Sequence, residues 1–160
     1  MKKIIGLLLI TSLLGPLTAC NRKIIYSKDR AMEPISKLFN TSLDEAYKTS
    51  KEAILRLGYR IDREDEPQKS FRTVWLSTKA DSHYVDLFDR RDYGTVGAYY
   101  RLQVKVTEKQ GQADVEIEAP VRSIIGRMKS SHIEEKKVLK KMADLLRKED
   151  FEMTNVGVEE

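Results

Sequence analysis

The chain has 160 residues, 29 Lys plus Arg against 25 Asp plus Glu, and one cysteine. That length accommodates one domain of ordinary size. A single cysteine excludes an intrachain disulfide framework and any CxxC-type zinc or redox site, and a net charge of +4 is too small an excess to mark a nucleic-acid-binding protein.

Met1-Lys2-Lys3 places two positive charges at the N-terminus, and the apolar run from Ile4 to Leu14 follows, interrupted only by Gly6, Thr11 and Ser12. Gly15-Pro16 stops any helix, and small residues precede Cys20. A charged start, a short apolar stretch and a small-residue cleavage site define an export signal. Eleven helical residues rise only about 16 Å, short of the ~30 Å hydrocarbon core, so this stretch does not read as a permanent span. Leu17-Thr18-Ala19-Cys20 resembles the bacterial lipobox: Leu, a small or polar residue, Ala or Gly, then Cys. The resemblance implies a signal peptide over residues 1–19, cleavage before Cys20, and a diglyceride in thioether linkage to its sulfur. Each buried CH₂ contributes about 0.8 kcal/mol, so two or three acyl chains anchor a protein durably. Asn21 departs from the Asp that retains such proteins at the inner membrane of enteric-type bacteria. The expected location is therefore the periplasmic face of the outer membrane, with outer-membrane lipid held through acylated Cys20.

Residues 20–41 form the lipidated N-terminus and a tether. Pro34 breaks it, and Arg22, Lys23, Lys28, Asp29 and Arg30 keep it hydrated. A flexible coil of residues 21–41 would span about 25 Å by the ~5–6 Å × √n rule. Ile24, Ile25, Ile35, Leu38 and Phe39 are more apolar than a linker needs, so part of the segment is a candidate for docking on the domain or a partner.

The domain is expected over residues 42–150. Ser42-Leu43-Asp44-Glu45 reads as a capping box, and Leu43, Ala46, Tyr47, Ser50, Ile54 and Leu57 repeat at helical spacing, which predicts a helix over 42–57 terminated by Gly58. Tyr59 to Arg63 alternates as a strand, Glu64 to Ser70 is a turn, and Phe71 to Lys79 is a second strand whose two faces both carry apolar groups. Tyr100, Leu102, Val104 and Val106 alternate with Arg101, Gln103 and Lys105. Beyond a four-residue turn at Glu108 to Gly111, Ala113, Val115, Ile117 and Ala119 alternate with Asp114, Glu116 and Glu118. Pairing Thr107 with Gln112 puts Lys105 opposite Asp114, Gln103 opposite Glu116 and Arg101 opposite Glu118, and aligns four apolar pairs on the other face. That charged face reads as a solvated one, with a binding surface as the alternative. Ser131-His132-Ile133-Glu134 offers a second capping box for a helix with Val138, Leu139, Met142, Ala143, Leu145 and Leu146 on one stripe. Residues 151–160 read as a flexible tail. The order α-β-β-β-β-α predicts one α+β domain, an antiparallel sheet with both helices packed on one face.

Catalytic chemistry finds little support. His83 lies near Asp81, Asp86, Asp89 and Asp92, which reads as solvated loop charge rather than a metal cluster, and His132 reads as an exposed first-turn residue. There is no GxSxG elbow. Gly94-Thr95-Val96-Gly97 lacks the lysine and spacing of a P-loop, and the Glu134-Glu135 pair is explained by the helix dipole. No catalytic, cofactor or metal residue is assigned, and the chain is not read as an enzyme. Two segments stand out for recognition. Tyr84 to Tyr93 mixes aromatics with arginine, the types enriched at interface hot spots, and Ile124 to Lys129 is apolar and basic at once. The candidate partner contacts are Tyr84, Phe88, Arg90, Arg91, Tyr93, Ile125, Arg127 and Met128. Against this stands a satellite core in which Val85, Leu87, Phe88 and Ile124 close the open end of the sheet, with 84–88 a fifth short strand.

A lipobox, a tether, a helix and the run Leu57-Gly58-Tyr59-Arg60-Ile61-Asp62-Arg63-Glu64-Asp65, followed by the Arg-Thr-x-Trp pattern of Phe71-Arg72-Thr73-Val74-Trp75-Leu76, resembles the BamC-like lipoproteins over about residues 42–118. The resemblance implies an accessory subunit that acts through protein contacts, with no catalytic residues to carry over. The expected function is a lipid-anchored periplasmic binding or assembly module with an envelope protein as partner. The alternative is a structural envelope lipoprotein that binds peptidoglycan or lipid without a dedicated protein partner.

Overall fold

The computed structural model describes residues 27–79, 81–87, 90–92 and 97–154. The export signal and Cys20 lie outside the described residues. Helix α1 covers Leu43–Arg56. Ser42 caps it, its hydroxyl accepting from the Glu45 amide at 3.2 Å, while the Glu45 carboxylate accepts from Thr41 instead of completing the reciprocal box. At the other end Gly58 takes a φ of +83°, and Tyr59 N–H donates to Ile54 while Gly58 N–H donates to Leu55. These two bonds are the Schellman termination, and they turn the chain directly into the sheet.

The described residues hold twelve short strands, paired antiparallel throughout. They are β1 (Lys28–Arg30), β2 (Ile35–Phe39), β3 (Ile61–Asp65), β4 (Ser70–Thr73), β5 (Leu76–Ser77), β6 (His83–Leu87), β7 (Arg90–Asp92), β8 (Tyr99–Tyr100), β9 (Gln103–Lys109), β10 (Gln112–Glu118), β11 (Val121–Ser123) and β12 (Met128–Ser130). The five-stranded order β2-β10-β9-β4-β3 and the four-stranded order β1-β11-β8-β5 repeat the same neighbours. The two sheets are thus successive halves of four long strands, each broken once. The break falls at 31–34, Val74-Trp75, Arg101-Leu102 and Ala119-Pro120. Across it the β9–β10 register carries straight on into β8–β11, whereas the two flanking strands each gain one residue, as at a bulge. Pro120 has no N–H, so opposite Arg101 only the Arg101 N–H to Pro120 carbonyl bond forms, at 3.3 Å.

One face of this bent sheet is buried along its whole length. Phe71, Leu102, Val104, Val106, Val115 and Ile117 meet Ala46, Tyr47, Ala53 and Ile54 of α1 and Val138, Leu139, Met142 and Leu145 of helix α2 (Ile133–Thr154). The fold is therefore a single α+β domain with its two helices on one face of the sheet. Beyond the break, Ala98, Val121 and Met128 form a second cluster with Met32, Val85 and Ile125, covered by the three-stranded sheet β12-β6-β7.

Several sequence-based expectations are corrected. The segment 28–39 is not a tether: β1 and β2 pair with β11 and β10, and Phe39 is buried in the main core. Its alternation was hidden by Pro34. The β9–β10 connection is a two-residue turn, Gln110-Gly111, both at positive φ (56° and 75°), as a type I′ turn requires. Lys109 consequently faces Gln112, Lys105 faces Glu116 and Gln103 faces Glu118, two residues out from the expected register. A two-residue slip preserves both faces, so alternation could not detect it. The strand expected over 71–79 is split by the bend, with Phe71 and Thr73 inward. Helix α2 runs on to Thr154, through the start of the expected tail, and it begins after His132 (φ 61°) rather than Ser131.

If β2 belongs to the core, Phe39→Ala will cost about 3–5 kcal/mol in a urea titration, as for other buried Phe truncations. A tether would show no change.

Candidate functional site

The face opposite the helices is open and charged. Trp75 lies on it because the one-residue excess at Val74-Trp75 rotates the strand between inward Thr73 and the inward-packed Leu76. Two guanidinium groups lie over its indole, Arg101 at 4.5 Å and Arg122 at 4.3 Å from the ring centroid. These arginines come from adjacent strands at the bend, where Arg122 pairs with Tyr99 and Arg101 faces Pro120. Arg122 is oriented by a two-pronged bond to Asp29 of β1, 2.6 and 2.9 Å, the geometry that makes Arg–carboxylate pairs directional. That bond holds the Asp29 carboxyl below, and the Arg122 guanidinium above, their usual values. Arg101 is more enclosed. Burial, then the positive charges of Arg72 and Arg122, lower its basicity, and its buried Nε has no hydrogen-bond partner among the described residues.

A shallow trough of about 410 Å³ runs alongside, over the outer face of the five-stranded half, lined by Arg63, Arg72, Gln103, Lys105, Glu116 and Glu118 among others. Arg72 bonds Asp62, and the Glu118 carboxylate accepts from the Met32 amide at 2.8 Å. Two guanidinium groups fixed against one indole, beside alternating charges, offer directed cations that can pair with carboxylates or phosphates. Trp75 was not singled out from the sequence. The available signal was an indole on a strand with apolar groups on both faces, with Arg101 and Arg122 at outward positions of neighbouring strands.

A second polar cluster is buried. His83, expected in a solvated loop, is 1% exposed on β6. Its Nε2 lies 3.1 Å from the Ala119 carbonyl and its Nδ1 3.1 Å from Ser82 Oγ. A carbonyl only accepts, so Nε2 carries the proton. Glu134 and Glu135, expected at an exposed helix start, are also buried. Glu134 accepts from the Tyr59 hydroxyl and from Lys137 Nζ at 2.9 Å, with Lys79 Nζ at 3.7 Å. Burial pulls its carboxyl upward, but these donors outweigh it and the net shift is down. Glu135 accepts from Ser130 Oγ at 2.7 Å and has His132 Nδ1 at 3.3 Å. The Tyr100 hydroxyl, buried and electrostatically coupled to Tyr59, lies outside hydrogen-bond geometry, and burial pushes its pKa up to about 12. His83, Glu134 and Glu135 are closed off from solvent: His83 ties β6 to the break between β10 and β11, Glu134 ties α2 to Tyr59, and Glu135 ties α2 to β12. Among the described residues no three His, Cys, Asp or Glu side chains gather as a metal site.

The sequence-predicted contacts divide. Tyr84 is half-buried, with the Arg91 guanidinium 4.8 Å from its ring centroid. Arg90 lies in β7 opposite Leu87. Ile125 is half-buried in the second cluster and Arg127 is exposed. Met128 is 5% exposed and packs in the second core cluster. Phe88 and Tyr93 lie outside the described residues. β12 pairing with β6 does bring the two recognition segments side by side. The satellite-core alternative holds for Val85 but not for Ile124, which is 62% exposed.

The pH response follows from the buried groups. Burial holds His83 below its ordinary 6.5, so the unfolded chain binds more protons and stability falls as pH drops below 6.5 towards the folded pKa. Glu134, lowered from 4.5, adds a second loss below 4.5 as pH falls through its folded pKa. Melting temperatures measured by circular dichroism between pH 7 and pH 5 should therefore decline, and in His83→Gln that decline should flatten. An unchanged slope in the variant would remove His83 as its source.

In comparison with known proteins, no protein-family model matches the chain, and no curated protein matches it.

Proposed function

We propose that the chain is a lipid-anchored accessory module at the periplasmic face of the outer membrane, working by protein–protein contact rather than catalysis, and that the Trp75 face is its contact surface. The observation that carries this reading is the indole packed against both Arg101 and Arg122 on an open sheet face. Trp and Arg are the residues that most often dominate binding energy, and a side chain already immobilised loses little entropy on docking. The trough beside it supplies the charged rim that a partner's carboxylates and amines would match. The likeness of 42–118 to the BamC-like lipoproteins supports the same reading, as does the lipobox ending at Cys20.

Two measurements test its two halves. A photo-crosslinking amino acid at Tyr99, half-exposed beside Arg122, should trap one recurrent envelope protein in intact cells. Adding Trp75→Ala should weaken that capture by roughly 30-fold or more, the ≥ 2 kcal/mol of a hot-spot residue, with the melting transition still cooperative. Absence of a recurrent partner would favour the structural-lipoprotein alternative. For the anchor, globomycin should accumulate the uncleaved precursor, and Cys20→Ser should block processing at that position. Normal maturation of Cys20→Ser would show an ordinary secretory cleavage.

A further inference from the structure

The antiparallel pairing of β1 with β11 decides which part of the domain lies nearest the anchor. Lys28 is opposite Ser123, so the chain arrives from Cys20 at the same end of the ladder from which the 124–127 loop departs. Residues 21–27 are all that separate the anchor from β1, and seven fully extended residues reach about 25 Å at most. The loop is built to present one apolar side chain outward. Ser123 Oγ accepts from the Ile125 amide at 3.0 Å, Ile125 tucks into the second core cluster, and Arg30 lies over Gly126, its guanidinium 3.7 Å from where a Cβ would stand. Ile124 is left 62% exposed, the most exposed large apolar residue among those described.

The charges around this tip suit an anionic surface. Lys28, Arg30 and Arg127 flank it, with no salt-bridge partner among the described residues, whereas two carboxylates of the neighbouring strands are engaged: Asp29 with Arg122 and Asp86 with Lys129. The linker itself reads Asn21-Arg22-Lys23-Ile24-Ile25-Tyr26-Ser27, again basic and apolar. Lys and Arg near a membrane are drawn to anionic headgroups, and an exposed aliphatic residue beside them enters the headgroup–acyl boundary.

We propose that the Ile124–Arg127 loop docks on the lipid surface to which Cys20 is anchored, Ile124 entering the interface and Lys28 and Arg127 meeting lipid phosphates. The domain would then be held in one orientation, instead of swinging on its linker. This rests on the anchored reading above.

The lone cysteine makes the test separable. Ile124→Cys, and Leu55→Cys as an exposed control on α1, are made in the full chain, expressed for maturation and reconstituted into vesicles of equimolar phosphatidylcholine and phosphatidylglycerol. Both are then labelled with a polarity-sensitive fluorophore. With Cys20 acylated, one label per chain is incorporated. The label at position 124 should be blue-shifted and quenched several-fold more by brominated lipid than the label at position 55. Adding Lys28→Glu and Arg127→Glu should return its emission towards the aqueous value. One label per chain with equal quenching at both positions would overturn the loop contact and leave the anchor standing. Two labels per chain would show Cys20 unacylated and overturn both readings.

Discussion

Pro120 lies on the line along which the rest of the domain is organised. Lacking an amide hydrogen, it cannot return the second bond of its pair with Arg101, and the sheet bends there without losing register between its two central strands. The bend sets two environments back to back. On the buried side the Ala119 carbonyl turns to His83 and ties the small three-stranded sheet to the large one. On the open side Arg101 and Arg122, flanking the same dipeptide, close on Trp75. The buried polar seam and the open arginine-bearing face are thus coupled through one interrupted rung.

The buried polar seam explains why the second half of the sheet needs so little hydrophobic core. Its apolar cluster is small, built from Ala98, Val121 and Met128 and their neighbours. Charge-assisted bonds from Tyr59, Lys137 and Ser130 to the two glutamates supply the remaining attachment. Such bonds are stronger than neutral ones and sensitive to geometry, so they specify a single arrangement of α2 against β6 and β12. The same groups make that arrangement acid-sensitive, because protonating His83 or Glu134 removes a state the fold requires.

Much of the fold was legible in short segments. Helix α1 with its Ser42 cap and Gly58 terminator, the alternating β9–β10 hairpin, and the apolar stripe of α2 each depend on residues within a few positions of one another. The failures share a cause. Residues 28–39 read as a tether because Pro34 divides two strands that are each too short to show alternation, and only pairing with β10 and β11 makes them strands. The hairpin register slipped by two because both registers satisfy the same faces, and the positive φ of Gln110 and Gly111 chose between them. That Met128 is buried was not legible either, because an isolated apolar residue beside basic ones carries no sign of which way it points.

The sequence by itself determined the class of the domain, the boundaries of its principal helix and the periodicity of its central hairpin, since local propensity and alternation follow from neighbouring side chains. The tertiary structure decided everything that depends on distant partners. Glu134 is buried because Tyr59, 75 residues earlier, donates to it. Arg122 stacks on Trp75 because Asp29, 93 residues away, orients it. Whether a charge is buried or solvated is a property of what lies opposite it in space, and one-dimensional spacing carries no record of that. The net charge of +4 accordingly said little about recognition. The placement of two arginines against one indole, and of a buried glutamate beneath the Tyr59 hydroxyl, says more.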